Sequence, residues 1–345
     1  MSVWSAERVA ALDGYTIEWA KPGSFILSRR QRLYGASSVD GPLRPVGRVE
    51  VPLWKRVASR ARAVQRALRF MFYNVIEASD GSLFVTFAKS VGVIRGGRYE
   101  PLKGLARPSR FLRGACAVAR DGSIYLGEYL PNRDRGPMRV YRWMPGSSEL
   151  EVVHEFSAGA IRHVHGIYYD RFDDCLWCVT GDVAHEARIT RTVDFRTLET
   201  VGSGDETWRC VSLVFTREGI YYGMDAEFVP NGLYRIDRQS LERTRLAEVG
   251  GPVYYSHALD RDLFFAVTAE LCPSQTDRSA TLWHVGEDLQ CSKVVAFKKD
   301  RLPVGPFMPG TIDFAGGPGL PDRFWFRGTG VSGADDVTFC VRADA

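Results

Sequence analysis

A unit of about 45 residues recurs along this chain, and few folds accommodate a repeat of that length. Seven times a turn, most often an acidic residue beside glycine, leads into a short run of β-branched and aromatic residues. The copies are Pro22-Gly23 before Phe25-Ile26-Leu27, Asp80-Gly81 before Leu83-Phe84-Val85, Asp121-Gly122 before Ile124-Tyr125-Leu126, and Asp173-Asp174 before Leu176-Trp177-Cys178. Glu218-Gly219 then precedes Ile220-Tyr221-Tyr222, Asp262 precedes Leu263-Phe264-Phe265, and Asp322 precedes Phe324-Trp325-Phe326. A lone four-stranded sheet cannot bury both of its faces. Stacking such sheets around an axis does so and leaves only short edges. The expected fold is all-β: a single β-propeller domain over residues 1–345, seven-bladed, or six-bladed if the irregular stretch 15–50 is not a blade.

The fourth unit shows four strands most clearly, at 165–169, 176–180, 187–193 and 198–201. The fifth repeats them at 211–215, 220–223, 232–236 and 244–249. The seventh, 311–342, is one strand short. Ser2-Val3-Trp4 would supply the missing strand and close the ring, although residues 6–12 read as helical.

One segment breaks the pattern. Across residues 53–72, Trp54, Val57, Ala61, Val64, Leu68 and Met71 recur at helical spacing, while Lys55, Arg56, Arg60, Arg62, Arg66 and Arg69 fill much of the rest. This predicts an inserted basic amphipathic helix of about five turns. Its apolar stripe would pack on the propeller, or its basic face would meet an anionic partner: membrane headgroups, a lipid-linked glycan or an acidic polysaccharide. Overall the charge is nearly balanced, at +4, so no general polyanion binder and no nucleic-acid partner is expected. The seven cysteines are an odd number without a second CxxC, which reads as free thiols in a reducing compartment. No basic stretch precedes an apolar core near the N-terminus, and no run of ~18 apolar residues occurs. A cytoplasmic protein is expected, with peripheral membrane attachment through 53–72 left open.

Polar residues where strands end near a propeller axis face a shared channel. Four second strands run into an acid: Gly127-Glu128, Gly181-Asp182, Met224-Asp225 and Ala269-Glu270. Strands disfavour Asp and Glu, so the recurrence marks Glu128, Asp182, Asp225 and Glu270 as catalytic candidates. His163 and His165 fall on one side of an alternating strand, a spacing that suits a divalent metal ion or a base beside its partner. His257 enters the sixth unit in a comparable place. Arg209, Arg113 and Arg327, from separate units, suit a substrate carboxylate. Trp208 and Tyr129 could stack on sugar rings. No dinucleotide loop, phosphate loop, nucleophile elbow or HExxH occurs.

The phrases His163-Val164-His165-Gly166-Ile167-Tyr168-Tyr169-Asp170, Leu176-Trp177 with Thr180-Gly181-Asp182, and Tyr221-Tyr222-Gly223-Met224-Asp225 resemble bacterial sialidase-like propellers and those of exopolysaccharide gene clusters, over residues 75–300. The turns Ser79-Asp80-Gly81-Ser82-Leu83-Phe84 and Arg120-Asp121-Gly122-Ser123-Ile124-Tyr125 are degenerate cousins of the sialidase SxDxGxxW box. They are also similar to turns of calcium-dependent lactonase propellers, whose amide ligand would fall to Asn132 or Asn231. The resemblance implies a glycan-active enzyme, hydrolase or lyase, working on an acidic oligo- or polysaccharide in the channel. Other readings are a non-catalytic glycan-binding or assembly propeller at a membrane or polysaccharide-synthesis complex, and a metal-dependent lactonase or small-molecule isomerase.

Overall fold

In the structure, a computed structural model that describes residues 3–344, seven antiparallel four-stranded sheets form the blades of a β-propeller. Blades one to six cover residues 16–48, 72–101, 117–156, 164–203, 210–248 and 253–298. Residues 15–50 thus form a true blade, and the count is seven. The second strand of a blade is buried on both faces, as Leu83–Phe87 and Cys175–Thr180 are throughout, so it reads as an unbroken apolar run. Outer strands such as Arg243–Glu248 are half-buried or exposed along their whole length. The core lies between blades: Trp177, Ile220 and Tyr222 fill one seam, and Phe264, Phe324 and Phe326 another.

Blade seven takes Thr311–Phe314, Arg323–Thr329 and Thr338–Ala343 from the C-terminal end and Trp4–Arg8 from the other. The closing strand runs further than expected, with Trp4 opposite Ala343 and Arg8 opposite Phe339, and Ser2 lies outside the described residues. Residues 6–8 are therefore extended, because the free edge of Thr338–Ala343 satisfies their backbone. Only Ala10–Leu12 turns helically.

The basic insert differs from the single helix expected. It forms α1 (Leu53–Ala58) and α2 (Arg62–Ala67), broken where the Ser59 hydroxyl donates to the Arg56 carbonyl. Its charged residues, not its apolar stripe, make the main attachment. The Arg62 guanidinium donates two bonds of 3.0 Å to Asp335. Arg66, 1% exposed, donates to the Phe307 carbonyl and pairs with Asp300. Two acids beside blades six and seven attract these arginines inward, since a buried guanidinium needs partners. Leu53, Trp54 and Val57 are left exposed.

The antiparallel order places function. Each innermost strand starts, and each second strand ends, on one rim, here called upper. The loops between second and third strands, and every link from one blade to the next, also lie there. Val164 bonds Glu128, and Ala269 bonds Gly310, across neighbouring blades at this rim. No helix among the described residues is long and apolar enough to cross a membrane.

Candidate active site

A β-bulge recurs where the innermost strand leaves the upper rim. The extra residue is Glu18 in blade one, Tyr73 in blade two, His165 in blade four and Tyr254 in blade six, with another at Val211 or Ser212 in blade five. A bulge re-aims a side chain without disturbing the strand beyond it. Gly181 supplies the turn that sets Asp182 against both histidines. Its φ is +90°, and a Cβ there would lie 2.2 Å from the Glu186 carbonyl.

The result is a cluster in blade four. Asp182 Oδ1 lies 3.1 Å from His163 Nε2 and 3.2 Å from His165 Nε2, and the two Nε2 atoms are 3.2 Å apart. His163 Nδ1 is 3.0 Å from the Leu130 carbonyl and His165 Nδ1 is 2.8 Å from the Cys210 carbonyl. A carbonyl only accepts, so both Nδ1 atoms carry hydrogens and a neutral ring keeps its lone pair on Nε2. Three lone pairs therefore converge, and a cation must sit among them, either a proton or a metal ion. Two imidazoles and a carboxylate suit a divalent transition metal, and their ligand atoms lie within 4.8 Å of one another. Burial lowers the His165 pKa against the opposing pull of Asp182 and so favours the neutral ring. Burial works against charge on Asp182 too, but with a proton bridging it to the imidazoles, His163 and His165 outweigh that cost and hold the carboxyl well below its usual range.

Arginines frame this cluster. Arg162 Nη1 donates to Asp182 Oδ2 at 2.6 Å. Arg209 donates from Nη1 to the Asp182 carbonyl at 2.8 Å and from Nε to Asp225 Oδ2 at 3.1 Å. Asp225 Oδ1 is buried without a partner. Desolvation raises the Asp225 pKa to about 8, with Arg209 opposing and Glu270 and Asp182 adding to the rise. Glu270 is raised as well, chiefly by burial, while its Oε1 accepts from the Tyr254 hydroxyl at 2.8 Å. The Tyr129 ring lies 4.1 Å from that of His163. Burial, followed by the charges of Asp182 and Asp225, holds its phenol well above the usual range. Thus His163, His165, Asp182, Arg209, Asp225, Glu270 and Tyr129 form one upper-rim group. Arg162 and Tyr254 belong to it too but were missed. The only sequence signal for Arg162 is its place beside His163, and for Tyr254 a bulge that periodicity does not show.

Five expected residues lie elsewhere. Glu128 is fully buried, accepting from Arg107 at 2.8 Å, from the Arg139 backbone at 3.0 Å and from the Tyr141 hydroxyl at 2.9 Å, so it braces blade three. Trp208 stacks on Tyr222 and lies 3.9 Å under the Arg243 guanidinium. Arg327 is buried at the join of blades seven and one, beside Thr16, Asp313 and Asp336. Arg113, paired with Glu18 at 2.7 Å, and His257 line a channel cavity of ≈ 250 Å³. That cavity takes residues further from the rim, such as Tyr168 and Leu213, and none of the cluster, so this channel cavity and the densest chemistry do not coincide. Burial pushes the His257 imidazole down to about 4. The amides of Asn132 and Asn231 are both spent on their own and neighbouring loops, Asn132 on the Gly136 and Arg162 carbonyls and Asn231 on the Ala226 carbonyl and the Ser274 hydroxyl.

No protein-family model and no curated protein matches the chain. Solved structures match its fold. An oligogalacturonate lyase in complex with manganese superposes with a TM-score of 0.60 at 9% identity, covering 99% of this chain and 91% of that one. A chain of a mitotic checkpoint complex gives 0.56 at 10% identity, over 98% and 94%. A prolyl endopeptidase gives 0.56 at 11% identity, over 97% of this chain and 50% of that one. At these identities the likeness shows the propeller fold alone.

Proposed function

We propose that this propeller is a metal-assisted lyase acting on an acidic saccharide at its upper rim. The observation that carries the reading is the convergence of His163 Nε2, His165 Nε2 and Asp182 Oδ1, with each Nδ1 tied to a backbone carbonyl so that Nε2 is the nitrogen left to face a cation. A divalent cation there would supply positive charge for a substrate carboxylate. The likeness in fold to a lyase solved with manganese supports the choice.

The surrounding residues have separable tasks. Arg209, between Asp182 and Asp225, adds fixed positive charge where a uronate carboxylate would gain negative charge. Elimination removes the proton next to that carboxylate, breaks the bond to the glycosidic oxygen and returns a proton to that oxygen. Glu270 is the base, its pKa raised toward neutrality by burial. Asp225, which keeps its proton to about pH 8, is the acid. Tyr129 stays protonated and offers a donor and a ring face.

The test is incubation of the protein with soluble polyuronates, with and without added manganese, and weighing of the products. Unsaturated fragments that form with manganese and vanish in His165→Ala support the reading. Fragments that have gained water point to hydrolysis. Intact polymer throughout, with no calorimetric heat for manganese, would move the assignment to a glycan-binding module.

A further inference from the structure

The upper rim carries a second feature that the cluster does not use. Arg29, Arg30 and Arg32, from the hairpin between the second and third strands of blade one, face Arg56 and Arg60 of the insert across a cleft of ≈ 460 Å³. None of these five, nor Lys55, lies within ion-pair distance of a carboxylate among the described residues, whereas Arg62 and Arg66 of the same insert are ion-paired. Beside the cleft α1 presents apolar residues outward: Leu53 is 62% exposed, Trp54 59% and Val57 50%. Further along the insert Val64 and Leu68 are each 37% exposed. Unpaired arginines make one side of the insert attractive only to anions. The exposed tryptophan and aliphatic residues make the other costly in water. A partner satisfying both has a negatively charged surface over an apolar interior.

We infer that the upper rim docks on an anionic lipid bilayer, with Leu53, Trp54 and Val57 entering the headgroup boundary and Arg29, Arg30, Arg32, Arg56 and Arg60 contacting lipid phosphates. The placement follows from topology: the insert links the outermost strand of blade one to the innermost strand of blade two, so it shares its rim with Asp182 and Arg209. Docking therefore brings the channel mouth up to the membrane. If the lyase reading holds, its substrate is an acidic saccharide carried on that membrane surface. The docking itself does not depend on that reading.

Sedimentation of the full chain with vesicles tests the inference, using phosphatidylcholine alone and phosphatidylcholine mixed with phosphatidylglycerol. The protein is expected to pellet with the mixed vesicles and stay in solution with the neutral ones. Arg56→Gln/Arg60→Gln should weaken binding about twenty-fivefold, about fivefold per arginine. Leu53→Ser/Trp54→Ser should weaken what persists at high salt. All four residues are exposed and unpaired, so the variants should keep the parent's melting curve, and that curve is recorded alongside. Failure to pellet with anionic vesicles overturns the inference, as does equal binding to neutral ones. Binding that a soluble polyuronate displaces and that Trp54→Ser leaves unchanged also overturns it, and assigns the cleft to a polysaccharide instead. Turnover of soluble substrate is measured separately, so loss of docking and loss of activity are told apart.

Discussion

Replacing Asp225 with asparagine should stabilise the protein while disabling it. An ordinary aspartate ionises at 3.8, and burial next to Glu270 and Asp182 raises this one to about 8 despite Arg209. The folded state thus holds a proton that the unfolded chain has already lost between those values. Its contribution is complete below the lower value and is lost as pH rises through the upper one. At about 1.4 kcal/mol per pH unit, the folded state has lost about 5 kcal/mol by the alkaline end of that window. An amide never ionises, but it accepts a weaker bond from Arg209 Nε, a loss of about 1–2 kcal/mol. Asp225→Asn should therefore be more stable than the parent by about 3–4 kcal/mol near pH 8 and less stable by about 1 kcal/mol near pH 4. Denaturant unfolding across that range, with a chelator present, reads the difference. A gap that does not widen with pH, or a variant less stable at the alkaline end, would refute the account of Asp225. Turnover of polyuronate by the same variant should fall at least about a hundredfold, as loss of a general acid requires.

Other consequences are open to the same kind of measurement. His163→Ala and His165→Ala should each lower manganese affinity by at least about tenfold in calorimetry, without changing the fold by circular dichroism. Glu128→Ala should cost about 2–4 kcal/mol of stability by stranding Arg107 and Tyr141, yet retain activity per folded molecule; loss of activity in well-folded protein would return Glu128 to the site. Gly181→Ala places a Cβ against the Glu186 backbone at positive φ. It should destabilise by about 2–4 kcal/mol and lose metal binding together with activity. Trp4→Ala removes a ring packed edge-on against Phe264 at 4.9 Å and should cost about 2–3 kcal/mol in urea unfolding.

The fold was legible because each blade repeats its own turn and its own buried second strand, and a seven-fold repeat averages out local irregularity. The site was legible only in part. His163, His165 and Asp182 stand at positions where alternation and a strand end both point to the channel. Glu128 occupies the same kind of place, but Arg107 and Tyr141, distant in sequence, close over it. Arg113 and Arg327 were drawn off in the same way by Glu18 and Asp313. The bulges that select His165 and Tyr254 leave no mark in hydrophobic periodicity, since one extra residue looks like ordinary strand. Nor does periodicity reveal that Asp335 and Asp300 draw Arg62 and Arg66 inward while Trp54 is left exposed.

The pairing of Trp4–Arg8 with Thr338–Ala343 sets the order of events in synthesis. The closing strand is made before the strand it pairs with, and six complete blades lie between them. Until residue 343 is made, the chain is an arc with two raw sheet edges. Ring closure is therefore the late step, and the growing arc is the species that chaperones and proteases meet.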